Sequence, residues 1–333
     1  MKRSYMWGVV LFLISILSIS ACGEDNNSSQ DTEEEHFAPF TGEAIKEENQ
    51  QRAVAVMMDN QEKARPQSGL SEADMVFELL AEGDITRFMA LYQNEEPEVV
   101  GPVRSAREYF FDIADGYDSL YVFSGAANDV FDELKKRDMD YLEAGTAEEK
   151  DRLFTREGLR KAPHNLYLQF PALFEIDSLQ SKVPETSYES LPFLQEDESM
   201  PEEMRVEEAS HAEVDMFDDA PEINFDYDEA SELYTRVEQK ETTIELESEK
   251  PIQMKNVLIA ETKHDKLDDE GRRKIDIETG GDATLLQEGE ARDVSWENQD
   301  GRIIPVSEGE EVPFLPGKTW VMFVPEKATI DLN

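Results

Sequence analysis

Residues 105–142, SAREYFFDIADGYDSLYVFSGAANDVFDELKKRDMDYL, decide the fold. Ser105 and Glu108 have the S-x-x-E spacing of a capping box, so a helix is predicted to start there. Ala106, Tyr109, Phe110, Ile113, Ala114 and Tyr117 then recur at i, i+3, i+4 and i+7 intervals and make one apolar face. Gly116 stands where a left-handed helix cap is expected. Residues 119–124 are a short apolar run of the kind that forms a buried strand. Asn128 to Lys136 repeats the helical pattern with Val130, Phe131 and Leu134 inward, and residues 139–142 form a further strand. Strands alternating with helices imply an α/β layer with some parallel pairing.

The reading extends outward in both directions. Upstream, residues 53–58, 74–80 and 85–92 are three more strands, the last two joined by a turn at Glu82-Gly83-Asp84. Downstream come a short helix near 147–153 and an aromatic stretch at 164–170. Residues 194–219 hold eleven acidic residues and one basic residue, Arg205, which reads as a solvated linker or insertion. Beyond it, short runs at 257–260, 274–277, 283–286, 294–296, 302–304 and 319–324 are separated by Gly-Gly, Glu-Gly, Asp-Gly and Pro-Gly turns. That spacing favours a compact sandwich or roll. The expected class is therefore α+β: an N-terminal mixed α/β sheet domain at 51–190, then a β-rich C-terminal sandwich or roll at 223–333. Residues 191–222 are the expected acidic linker or insertion. A chain of 333 residues is long enough for two such cores.

The N-terminus carries an address. Lys2 and Arg3 precede an almost purely apolar run from Met6 to Ser20, and Ile19-Ser20-Ala21-Cys22 closes it. The run is too short to span a bilayer comfortably and has the layout of a secretory signal. An aliphatic residue, two small residues and a cysteine resemble the bacterial lipobox. The resemblance implies a signal peptide at 1–21, cleavage before Cys22, and a lipid on the Cys22 sulfur. Cys22 is the only cysteine, so no intramolecular disulfide can form. Residues 22–50 are polar and acidic, and are expected to be a flexible tether.

Formal net charge is −44, from 32 basic and 76 acidic residues. Such a surface repels nucleic acid phosphates and anionic headgroups, so membrane contact is expected through the lipid alone. Nucleic acid is excluded as a partner. The expected location is the outer face of the cytoplasmic membrane.

Several blocks are similar to the YerB-type lipoproteins of Firmicutes. They include Arg65-Pro-Gln-Ser-Gly-Leu-Ser-Glu-Ala-Asp74, Thr86-Arg-Phe88, Gly101-Pro-Val-Arg-Ser-Ala-Arg107, Pro163-His-Asn-Leu-Tyr167 and Gly317-Lys-Thr-Trp320. The similarity runs from about residue 50 to 325. It implies two domains and an envelope lipoprotein of a Gram-positive bacterium, and it transfers no reaction or catalytic residue.

Two cations at a helix start are unfavourable by about 0.3–1 kcal/mol each, so Arg104 and Arg107 call for a nearby anion. With Arg65, Arg87 and Ser105 they form a candidate ligand-binding group for a carboxylate or phosphate. The competing expectation is internal pairing with Glu78, Asp74 or Asp112. His164 is the candidate general base, with Glu78 or Asp84 as its carboxylate. The four histidines, at 36, 164, 211 and 264, have no metal-ligand spacing, and phosphate-binding glycine motifs are absent. No metal or cofactor is expected. The leading expectation is a non-catalytic binding module for a protein partner or an anionic envelope component; a cell-wall hydrolase using His164 is the alternative.

Overall fold

A twelve-stranded mixed sheet runs through the protein, and both halves of the chain contribute to it. The computed structural model describes residues 35–333 apart from positions 138, 197, 202–203, 218–219 and 270. The expected signal peptide, Cys22 and the first part of the expected tether lie outside the described residues. From one edge the strands are Glu310–Glu311, Arg302–Ser307, Glu290–Gln299, Gly281–Gln287, Asn256–Thr262, Thr319–Pro325, Met75–Leu80, Thr86–Tyr92, Val54–Asp59, Leu120–Phe123 and Tyr141–Glu143. Val206–Glu208 adds to Glu290–Gln299.

The seam between the halves lies in the middle of this sheet. Thr319–Pro325 pairs parallel to Met75–Leu80, with Thr319 opposite Met75 and Met322 opposite Glu78. Every residue of both strands is buried, as continuous apolar runs in a covered parallel pair require. A second, six-stranded antiparallel sheet comes from the C-terminal half. Its outer strand Thr329–Leu332 returns to pair with His211–Asp215. Residues 35–333 form one compact unit. The protein is thus β-rich, and its short helices α1 (Glu108–Gly116) and α2 (Asn128–Lys136) belong to the N-terminal half.

The alternation read from residues 105–142 is realised, with parallel pairing of Val54–Asp59 to Leu120–Phe123 and of that strand to Tyr141–Glu143. Four local expectations change. Helix α1 begins at Glu108 with Arg107 at the cap and no side-chain cap bond. The Ser105 hydroxyl instead donates to the Ser124 carbonyl at 3.0 Å. Gly116 serves close packing, not a left-handed turn: a Cβ there would lie 2.3 Å from Gly301 Cα. The acidic stretch expected as a linker carries two strands. In His211–Asp215 the small apolar residues Ala212 and Val214 point inward while the charged ones alternate outward, and counting charge alone hid that period of two. The expected flexible tether ends earlier than residue 50. His36–Phe37 pairs with Ala44–Ile45, and between them Phe40 packs edge-on against Tyr117 and Tyr188.

Candidate functional site

The parallel strands Val54–Asp59 and Leu120–Phe123 pair only as far as Val56 and Val122. Past that point an extended segment takes the space between them. Arg104 N–H donates to the Met57 carbonyl, and its own carbonyl accepts from Ser124 N–H, both at 2.9 Å. Ala106 N–H continues to Gly125 at 3.0 Å, and Val103 N–H reaches Leu166 at 2.7 Å. Residues 101–107 therefore sit at the carboxyl ends of the strands, where open α/β sheets place their ligands.

Each candidate arginine can now be located. Arg104 Nε lies 3.2 Å from Asp59 Oδ2, and the same oxygen is 2.7 Å from His164 Nδ1. The other Asp59 oxygen accepts from Gln61 N–H at 3.1 Å. Asp59 is only 1% exposed, so its charge depends on these partners. Burial pushes the Arg104 guanidinium down from its ordinary value; Asp59 opposes this and Arg87 adds to it. Neither the two terminal nitrogens of Arg104 nor His164 Nε2 has a hydrogen-bond partner among the described residues.

Arg87 and Arg107 share one carboxylate. Arg87 donates to Glu82 Oε2 at 2.9 Å and to the Ser105 carbonyl at 2.8 Å, and Arg107 pairs with Glu82 Oε1. Arg65 stands apart, paired with Glu238 of the C-terminal half and donating to the Asn60 carbonyl at 3.0 Å. The four expected arginines are divided among three carboxylates, Asp59, Glu82 and Glu238, while Ser105 donates to the Ser124 carbonyl. None of these is among the internal partners expected from sequence; Asp112 pairs with Arg137, and Asp74 accepts from the backbone of Gln93 and Asn94.

Both carboxylates suggested for His164 are replaced by Asp59. Glu78 belongs to a buried network that joins the halves. Arg236 donates to it through Nε at 2.9 Å and Nη2 at 2.6 Å, Thr86 through its hydroxyl at 2.7 Å, and Trp320 through Nε1 at 3.0 Å. Arg236 also reaches Glu238 at 2.8 Å and lies over the rings of Phe88 and Trp320. Although burial opposes it, Glu78 and Glu238 hold the Arg236 guanidinium above its ordinary value. Asp84 accepts from Arg273 at 3.2 Å.

Sequence reasoning missed Asp59, Glu82, Arg236 and Glu238. Asp59 had a signal: it is the first polar residue after a buried strand that turned out parallel, the position from which α/β proteins present functional side chains. Glu78 also had one, being the lone charge within an otherwise apolar buried run.

The N-terminal domain profile of the family described as "Protein of unknown function (DUF3048)" matches residues 40–188, and its C-terminal domain profile matches residues 212–321. A Bacillus subtilis protein named "Putative lipoprotein YerB" is 36% identical over 326 residues, covering 96% of each chain. The crystal structure of YerB from Bacillus subtilis superposes with a TM-score of 0.80, covering 89% of this chain and 100% of that one.

Proposed function

This chain belongs to the DUF3048 family, and on that premise we propose that it is a lipid-anchored extracytoplasmic protein working as a non-catalytic binding module. Cys22 carries the lipid on the outer face of the cytoplasmic membrane. The folded part holds an anionic group of an envelope component or a protein partner. One observation carries this reading. Arg104 and His164 are both held by the same buried Asp59 oxygen, and the terminal nitrogens of Arg104 and Nε2 of His164 are left unpartnered among the described residues beside the carboxyl edge of the sheet. A guanidinium preorganised in this way recognises oxyanions.

Inorganic phosphate is the probe, followed by calorimetry. A charge-assisted bond contributes about 1.5–3 kcal/mol, so Arg104→Gln is expected to weaken phosphate binding by about 10- to 150-fold. His164→Asn should weaken it as well. Equal affinity in the wild type and Arg104→Gln would overturn the reading.

The Asp59–His164 pair also favours a second reading, a hydrolase in which Asp59 orients His164 as general base. Against it, no hydroxyl among the described residues is bonded to His164, and the Ser105 hydroxyl is committed to the Ser124 carbonyl. Turnover of a phosphate or carboxylate ester that disappears in His164→Asn would establish it.

The anchor has its own test. Cys22→Ala is expected to leave the fold intact and move the protein from the membrane fraction to the soluble fraction, because the acidic chain offers headgroups little else to hold. Retention of the variant on membranes after a high-salt wash would contradict the lipid assignment.

A further inference from the structure

The segment that delivers Arg104 to Asp59 presents its alternate residues to another side, as extended backbone does. Ser105 and Arg107 line a concavity of about 340 Å³, near the lower end of the size range of ligand sites. Its opposite wall comes from the C-terminal half, through Leu267 and Arg273. Ala126 and Ala127 complete an apolar side. Leu267 is 58% exposed there, the side of a large aliphatic residue left in water.

The polar side holds guanidinium nitrogens that its carboxylates do not occupy. Arg87, Arg107 and Arg273 face two carboxylates, Glu82 and Asp84. Arg273 spends Nε and Nη2 on the Gly83 carbonyl and Asp84, leaving Nη1 without a partner among the described residues. Arg107 Nε is buried and likewise unpartnered, a state that ordinarily costs free energy. Two further carboxylates border the concavity. Asp129 lies 3.6 Å from Arg272, and Glu108 is exposed at the start of α1; neither bonds Arg107 or Arg273.

We propose that this concavity binds a carboxylate bearing a short unbranched aliphatic chain, its head on Arg107 and Arg273 and its chain along Ala126, Ala127 and Leu267. One carboxylate fits the two guanidinium nitrogens left unpartnered among the described residues, on Arg107 and Arg273. The exposed leucine beside it fits a tail and not a second polar group.

The test is a homologous series on the Cys22→Ala chain, from acetate through butanoate and hexanoate to octanoate, with 1-hexanol as the uncharged control. Each methylene that enters the cleft should tighten binding about fourfold until the cleft is full. Hexanoate should bind at least about tenfold more tightly than 1-hexanol, as one charge-assisted bond implies. Leu267→Asp, a surface change, is expected to flatten the chain-length dependence, and Arg107→Gln to remove the preference for acid over alcohol. Arg104→Gln should leave the series untouched, which separates this site from the phosphate site at His164. Affinity independent of chain length, equal binding of acid and alcohol, or no binding up to octanoate would each overturn the proposal.

Discussion

Arg236→Met is expected to lower the unfolding free energy by about 3–5 kcal/mol, a large fraction of the 5–15 kcal/mol that typically holds a domain folded. Arg236, Glu78 and Glu238 are buried, with 0%, 0% and 4% of their side chains exposed. Methionine nearly matches the arginine stem in volume, so the loss is electrostatic more than steric. Glu238 would keep Arg65 and Asn60 as partners. Glu78 would keep only the Thr86 hydroxyl and the Trp320 indole, two neutral donors for a full buried charge.

The asymmetry supplies its own control. Removing both charges leaves no stranded ion, so Arg236→Met combined with Glu78→Gln should recover most of the loss. Denaturant unfolding of the wild type, both single variants and the double variant gives the coupling directly. A single variant within about 1 kcal/mol of wild type would mean that the network does not hold the seam. The network matters for function because Asn60 links it to the site. Its amide donates to Glu238 Oε2 at 3.0 Å, one residue along from the Asp59 that holds Arg104 and His164. The C-terminal half thereby braces a site built from the N-terminal half.

Much of this was legible in the sequence, for definite reasons. Residues 105–142 announced their elements because each buries one face, and a buried face imposes its period on the chain. What joins the halves was not legible. Met75–Leu80 and Thr319–Pro325 both read as buried strands, but nothing local says that Met322 lies opposite Glu78. Long-range register is set by packing, which leaves no trace in spacing. The same limit applies to the site. Arg104 and Arg107 could be marked as cations needing anions, yet Asp59 and Glu82 lie 45 and 25 residues upstream and meet them only through the sheet. Phe40 shows the opposite failure. Its surroundings are acidic and polar, so composition hid an aromatic anchor that the folded core of Tyr117 and Tyr188 receives.

Acidification from pH 8 to about 5 is expected to stabilise the protein, contrary to the usual behaviour of proteins rich in salt bridges. Burial pushes the Asp74 carboxyl up to about 7, against the Asn94 and Gln93 amides and Lys318, which pull it down. Asp74 is 1% exposed, and one of its oxygens is buried without a partner. Burial, with a hydrogen bond to Glu247, likewise raises Glu245 to about 7, and burial raises Asp112 to about 6. An unfolded carboxyl takes up its proton only near pH 4. Between about 4 and 7 the folded state therefore holds more protons than the unfolded one, and lowering the pH favours folding. His264 works the other way, because burial lowers it to about 4 and leaves the unfolded state to take up the proton first as pH falls below about 6.5. One histidine set against three carboxyls leaves the balance on the stabilising side. Asp74 alone contributes about 2–3 kcal/mol over this range, taking 1.36 kcal/mol per pH unit between pH 7 and 5. Below about pH 4 the trend should reverse as Glu238, held low by Arg236 and Arg65 against its burial, is finally protonated. Thermal melts across pH 4–8 should peak between about pH 4 and 5, and Asp74→Asn should melt higher than wild type at pH 8 and show a smaller rise on acidification. A melting temperature that falls steadily from pH 8 to 5, with Asp74→Asn parallel to wild type, would rule this out.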